Sequence, residues 1–398
     1  MIYILLSAIF LFSSGIYSSQ TVTLNVSFPK AEVRQDIGSF SKDQKTLVGY
    51  AFLESSIQLQ LEPLLSIQSQ LAFEPIHNLR YYHDNYSNTV LFKDHGLYVK
   101  ELYVNYGPHN RKVLVGKFSP QFGQAFSHSA GLWGNLGLPE EYELSEKLGV
   151  GGHVNTRWLR GTQPLSLTAS VFKSDTSPLK HSWLVDRHSE TETAINEKEL
   201  ESYALQATSR YRNLFDYYVG YRSIIHAKTD HETGYVFGII GDSVVNGMAV
   251  TRLFEYTNIV NHTGLDAVAS YWTYSVNGEK NRRLYSVAYT KFENTLTQAS
   301  QLQISTGRRL RNNSVWDVGI QYTTGNQNDW YIGSRISIPL HRYTRSLTLK
   351  SAYKNDYAAL VKNASDTKPT HSLSPNPSSI PSNSGIQSKK PTPFPGFY

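Results

Sequence analysis

Along most of this chain apolar and polar residues alternate with period two, as in a strand whose two faces meet different surroundings. In the stretch 147–158, Leu148, Val150, Val154, Thr156 and Trp158 share one face, and Gly149, Gly151, His153, Asn155 and Arg157 share the other. From Leu200 the rhythm quickens into runs of about ten to thirteen residues, separated by joins of two to six. The joins include Arg212-Asn213, Val245-Asn246-Gly247, Asn277-Gly278-Glu279-Lys280-Asn281 and Gly325-Asn326-Gln327-Asn328. Asn-Gly pairs are the strongest short hairpin signal. No stretch reads as a helix of any length.

Nearer the N-terminus the pattern predicts a first run, Thr21 to Phe28, and a polar segment to about Thr46. A hairpin follows, Val48–Gln60 and Leu64–Phe73, with a tight join at Glu62-Pro63 and a Tyr/Asn/His-rich loop from Pro75 to His95. Two runs between 96 and 118 meet at Gly107-Pro108-His109-Asn110. After the 147–158 run come the strand Leu165–Ser174 and a charged loop, Asp175 to Glu199. About seventeen runs result, each near the nine to eleven residues that a tilted strand needs to cross a bilayer. Closed single-chain bacterial barrels have even strand numbers. The expectation is therefore 16 strands, with 18 as the fallback, and the surplus is either the final run, Arg345 to Tyr357, or one run between 200 and 260. Four long loops, 29–46, 75–95, 122–147 and 175–199, follow alternate strands when Thr21–Phe28 is the first. Long loops at one end and tight turns at the other is the outer-membrane arrangement.

Alternation alone also suits a soluble sandwich. The 398-residue chain is large enough for one wide barrel or two soluble domains. Its mean hydropathy of −0.38 looks soluble, but membrane barrels give similar values because each strand is only half apolar. The 27 tyrosines suit aromatic girdles at the bilayer interfaces, although soluble β-proteins are Tyr-rich too. Without cysteine there is neither disulfide nor thiolate metal site. The net charge of +6 is a mild bias toward anions, too small and too dispersed to indicate nucleic acid.

The apolar run Ile2 to Phe12, followed by small residues, reads as a secretory leader over 1–19, although a basic start is missing. It is too short to span a bilayer, and no other apolar stretch approaches that length. The barrel is expected over 20–362. From Asn363 to Tyr398, Pro and Ser dominate and apolar residues are too few to offset ordering, which predicts a disordered tail.

The runs GKFSPQFG (Gly116 to Gly123) and YELSEKLGVGG (Tyr142 to Gly152) resemble the strand–loop–strand core of Gram-negative outer-membrane porins, most nearly the group related to the phosphate-selective porins. The resemblance is specific over roughly 96 to 160. It implies a passive channel in the outer membrane, a homotrimer, no cofactor, and a long early loop that folds inward and narrows the pore. Phosphate specificity does not carry over, because the loop contains only Lys147 where the phosphate-selective members have dense rows of Arg and Lys. The chain also departs from the family at its end, where members finish on a barrel strand with a terminal aromatic. Here Phe397 and Tyr398 close a Pro/Ser tail, and Pro395 prevents ordinary strand pairing.

With the more polar register turned to the lumen, the inward basic residues are Lys117, Arg157, Arg210, Arg212, Arg222, Arg309, Arg335 and Lys350, with His153 an addition. The inward acids are Glu101, Asp216, Asp242 and Asp317. The excess of basic groups predicts a pore that is mildly anion-preferring. The alternative for each residue is an ordinary solvated wall position. Register is ambiguous over 247–276, where both faces are mixed. The loop carries Glu140, Glu141, Glu143 and Glu146, whose carboxylates would face the basic wall if it folds inward and would sit in an external loop otherwise. The histidines are mostly in loops and lack ligand spacing, so no metal site is expected. Ser127-His128-Ser129 is a conceivable nucleophile–base pair with no elbow motif to support it. The leading reading is a porin for small hydrophilic solutes. The alternatives are an outer-membrane adhesin or enzyme acting through its loops, and a secreted soluble β-protein that binds glycans.

Overall fold

The computed structural model describes residues 21–39, 45–76, 89–133, 137–157, 164–185, 199–212, 214–226, 231–264, 266–295, 297–325, 328–340 and 345–350. The expected leader (1–19) and tail (363–398) lie outside these residues. The described strands are β1 (Thr21–Ser39), β2 (Lys45–Glu62), β3 (Leu65–Pro75), β4 (His95–Tyr106), β5 (Arg111–Phe118), β6 (Lys147–Arg157), β7 (Pro164–Ser174) and β8 (Ser202–Tyr211). They continue as β9 (Phe215–Ile224), β10 (Glu232–Val245), β11 (Met248–Val260), β12 (Val268–Lys280), β13 (Arg283–Asn294), β14 (Gln298–Arg309), β15 (Val315–Thr324) and β16 (Asp329–Pro339, resuming at Arg345–Lys350). Each pairs antiparallel with its neighbours in sequence, and β1 pairs with both β2 and β16. The result is a closed antiparallel barrel of sixteen strands.

The surplus run is the final one. Arg345–Lys350 pairs with Thr21–Val26, and Asp329–Pro339 pairs with Lys30–Ser39, so the two segments form one wall strand. The interruption has a cause on both sides of the seam. Pro339 stands opposite Lys30, and the register of β1 on β2 shifts between Ser27 and Lys30, a stretch containing Pro29. Neither proline can donate to the ladder, so the pairing on both sides of β1 is interrupted at the same level while β1 itself runs on. The expected loop 29–46 is likewise corrected, since β1 runs to Ser39 and only 40–44 separate it from β2. Alternation persists there but is masked by charge: Val33 is exposed on the outside, while the buried Glu32 and Arg34 pair at 2.7 Å inside.

The connections after odd-numbered strands include 76–94, 119–146 and 175–201, whereas those after even-numbered strands span six residues or fewer. Within the first long connection, Val90–Leu91 forms a short parallel bridge to Val48–Gly49, and Ala51 N–H donates to His95 Nε2 at 3.0 Å. Both cover the part of β2 that projects beyond β3, where an open edge would be a site for aggregation.

Burial is inverted relative to a soluble protein. Val113, Val115, Val150, Val219, Phe237, Val287, Ile304, Ile320 and Ile332 are exposed, while Ser170, Gln206, Thr257, Thr273, Ser286, Gln303 and Gln321 are buried. Trp272, Tyr274, Tyr285, Tyr289, Trp316 and Tyr322 add an outward aromatic complement. An apolar exterior around a polar interior is the pattern of a barrel that faces lipid.

Candidate functional site

The interior is dominated by the connection between β5 and β6. Near its start, Gly123 lies at φ +78°, where an added Cβ would meet the Glu255 carboxylate at 3.0–3.2 Å. Glycine permits both the left-handed turn and the close approach. A one-turn helix, Ala125–His128, and a 3-10 turn, Leu138–Tyr142, carry the chain across.

Glu255 of β11 ties down both ends of this loop. It accepts from Gln124 N–H at 2.6 Å, Ala125 N–H at 3.1 Å and the Tyr142 hydroxyl at 2.5 Å, and also from the Tyr218 hydroxyl of β9. A fully buried carboxylate is costly unless its lone pairs are satisfied, and here four donors converge on it. Arg222 of β9 completes the base. Its guanidinium donates to Tyr142 O at 2.5 Å and to Glu232 Oε1 at 2.6 Å, and lies 4.7 Å from the Phe122 ring centroid. Around these polar groups Phe122, Ala125, Tyr142 and Leu144 pack on inward side chains of the wall, among them Tyr218, Leu253, Ile259 and Tyr271.

The middle of the loop reaches the far wall. Leu138 N–H donates to Gln301 Oε1 at 3.4 Å, Tyr271 donates to Glu141 Oε2 at 2.8 Å, and Arg335 donates to Leu132 O at 3.4 Å. Leu132 and Trp133 are fully buried against Tyr331. The loop therefore runs inside the barrel and not over its mouth.

Each basic residue singled out from the sequence, where its side chain is described, meets an acid or a ring. Lys117 is buried between Glu146 at 2.9 Å and Asp175 at 2.8 Å. Arg210 grips Asp216 through two bonds of 2.6 and 2.8 Å. Arg309 does the same to Glu279 at 2.9 and 2.8 Å, and Arg335 to Asp317 at 3.1 and 2.6 Å. Arg212 sits in the turn after β8, over the Tyr211 ring at 5.3 Å. Arg157 and Lys350 belong to β6 and β16 in backbone register, opposite Pro164 and Thr21, and their side chains lie outside the described residues. Of the expected inward acids, Glu101 accepts from Ser119 N–H at 3.2 Å and Asp242 from the Thr251 hydroxyl at 2.6 Å.

The loop's carboxylates divide. Glu146 is consumed by Lys117 and Glu141 is bonded to Tyr271. Glu140, on the loop surface but within the enclosed lumen, and Glu143 look toward Glu74 and Lys100. Enclosure by wall and loop pushes the Glu140 carboxyl up to about 7, helped by the Glu74 charge. The same poor hydration pushes Glu143 up to about 8, with Lys100 opposing and Glu140 and Glu74 adding. On the wall, Lys100 pairs with Glu54 at 3.3 Å, and the Tyr98 hydroxyl donates to Glu74. Sequence reading missed Glu54, Glu74 and Lys100 as interior groups. Lys100 stands at a register shift between β3 and β4, where a bulge disturbs simple alternation. It also missed Glu255, which lies in the stretch of mixed faces.

Ser127 Oγ is 2.8 Å from His128 Nδ1, but both groups also contact the Gln124 carbonyl, as local side-chain-to-backbone bonds within the one-turn helix. Among the described residues no group of three or more His, Cys, Asp or Glu is arranged to hold a metal.

No protein-family model and no curated protein matches this sequence. Solved structures match its shape. OmpF of Salmonella typhi, in complex with daunomycin, superposes with a TM-score of 0.51 at 12% identity, over 80% of this chain and 98% of that one. The fold is that of an outer-membrane porin. The outer membrane channel DcaP of Acinetobacter baumannii gives a TM-score of 0.49 at 12% identity, over 81% and 98% of the two chains. OmpT of Vibrio cholerae, an outer membrane protein, gives 0.47 at 11% identity, over 81% and 99%. At these identities the likeness is one of architecture, a barrel of the kind that sits in the Gram-negative outer membrane. It lends no separate support to the phosphate-selective group.

Proposed function

We propose that this protein is a porin, a passive channel for small hydrophilic solutes that works without cofactor or catalysis. The observation that carries the reading is the loop 119–146, pinned inside a barrel whose exterior is apolar and whose free loop face bears Glu140 and Glu143. A strap across a lumen sets an aperture, and its charge sets which ions enter.

The anion preference expected from the excess of inward basic groups loses its basis. Five of those groups are neutralised by a carboxylate within 3.1 Å. What remains at the aperture is acidic, with Glu54, Glu74, Glu140 and Glu143 grouped around Lys100. The proposal is therefore a channel with a mild preference for cations. Planar-bilayer recording tests both parts. A discrete conductance with a reversal potential of cationic sign in a KCl gradient is expected. Absence of any conductance overturns the porin reading, and an anionic sign overturns the charge assignment alone. The homotrimer implied by the resemblance belongs to the same proposal, and the mass of the detergent-solubilised particle tests it.

A further inference from the structure

The two ends of the barrel carry opposite charge. Among described residues near the long connections, acids such as Glu74, Asp94, Asp175, Glu199, Glu201, Glu232 and Asp266 prevail. The tight-turn end is basic, with Arg111, Arg212, Lys280, Arg282, Arg283, Arg308 and Arg311 all exposed.

Three of these cations form a row. Lys280 is the last residue of β12 and Arg283 the first of β13, directly opposite one another across the turn Asn281-Arg282. Arg283 in turn faces Arg308 of β14, and Arg308 faces Trp316 of β15. The row lies on the outer surface, because it shares the register of the exposed Tyr285 and Val287 on β13 and of Leu302 and Ile304 on β14. Like charges placed directly opposite on one face of a sheet are destabilising. The carboxylate in this hairpin, Glu279, turns inward to Arg309, so it does not relieve the row. Lys280 donates to Asn246 O at 2.7 Å, a carbonyl and not an acid. Immediately beside the cations, Trp316 and Tyr285 mark the level at which the lipid-facing wall meets headgroups.

We propose that Lys280, Arg283 and Arg308 form a binding site for the phosphate of an anionic phospholipid in the leaflet at the turn end of the barrel. A phosphodiester at that height supplies the missing counter-charge, and arginine binds its oxygens through two parallel N–H bonds. The acyl chains lie along the apolar wall above, over Tyr285, Val287 and Ile304. This inference rests on the barrel being embedded in a membrane, and it does not depend on transport.

The test uses the full chain reconstituted in nanodiscs, with Trp316 as reporter and Trp316→Phe for subtraction. Brominated phosphatidylglycerol is expected to quench the Trp316 signal more strongly than brominated phosphatidylcholine at low salt. Each neutralisation among Lys280→Gln, Arg283→Gln and Arg308→Gln is expected to lower that preference about fivefold. Arg283→Lys with Arg308→Lys should retain most of it. Equal quenching of the unaltered protein by the two lipids overturns the proposal, whatever the variants do. Displacement of the lipid by millimolar inorganic phosphate also overturns it, because the site would then bind free anion and not a headgroup.

Discussion

Two sectors of the barrel interior carry different chemistry on the same inward register. On β9 to β12 the inward positions include Tyr218, Ile240, Leu253, Ile259 and Tyr271, all buried. On β2 to β4 they include Glu54, Gln68, Glu74 and Lys100, partly open to water. The strands of both sectors face lipid outside, so the difference is set from within. The first sector is covered by the loop and behaves as a protein core, whereas the second borders the lumen. Inward apolar residues in a membrane barrel thus mark where a neighbour other than water has been built in.

The largest expected effect comes from removing the group that joins loop to wall. Glu255→Ala leaves two backbone N–H groups and two tyrosine hydroxyls without their acceptor, at about 1–3 kcal/mol for each buried group. The loop should leave the interior, raising single-channel conductance severalfold and lowering the temperature at which the barrel loses its heat-resistant gel mobility. Unchanged conductance would place the aperture elsewhere.

Trp133→Ala should act at the far end of the strap. Truncating a fully buried Trp costs about 3–5 kcal/mol, but the base contacts to Glu255 remain. Open-channel noise is expected to increase more than mean conductance, which distinguishes a loosened tip from a released loop.

A smaller effect belongs to the lumen-facing sector. At pH 9, where both carboxyls are charged, Glu140→Gln with Glu143→Gln should reduce cation preference, about threefold in partitioning for each charge at low salt. The unaltered channel should show the same change with pH. Carboxyls pushed up to about 7 and about 8 are protonated and neutral in acid and charged in base. Cation preference should therefore rise between about pH 6 and pH 9, and reversal potentials of parent and double variant should converge at pH 5. A parent whose reversal potential does not change with pH would mean that other groups set the field.

Least is expected from Arg210→Gln. Its pair with Asp216 is largely exposed, and such pairs contribute at most about 1 kcal/mol. Stability should change little, and loss of this cation should leave the reversal potential nearly as it was.

Most of the wall was legible because lipid and water impose strict alternation on each strand. The register of Val150 and Val154 against Gly151 and His153 is visible in the residues themselves and holds in three dimensions. Legibility failed where a third environment intervened. Leu253 and Ile259 on the inner face and Phe254 and Tyr256 on the outer put apolar residues on both faces of β11, because its inner face packs on the loop. Glu255 was lost in that same stretch. Charge pairing was illegible for another reason. Arg222 and Glu232 are ten positions apart on adjacent strands, and Arg335 and Asp317 eighteen, so partners show only once cross-strand register is known. An inventory of basic residues counted them as open charge.

The seam between β1 and β16 bears on how the molecule is made. Thr21 pairs with Lys350, about 330 positions away in sequence, so the first strand has no closing partner until the last has been synthesised. Until then the nascent sheet has two unpaired edges, one of them β1 with 19 residues, and long free edges recruit strands from other molecules. Pairing so distant in sequence is also slow to find. The matched break at Pro29 and Pro339 splits the seam into two shorter ladders, each with its own register, so closure can proceed in two steps. The Lys30–Ser39 ladder, with ten residue pairs against six, is the longer one for the first step.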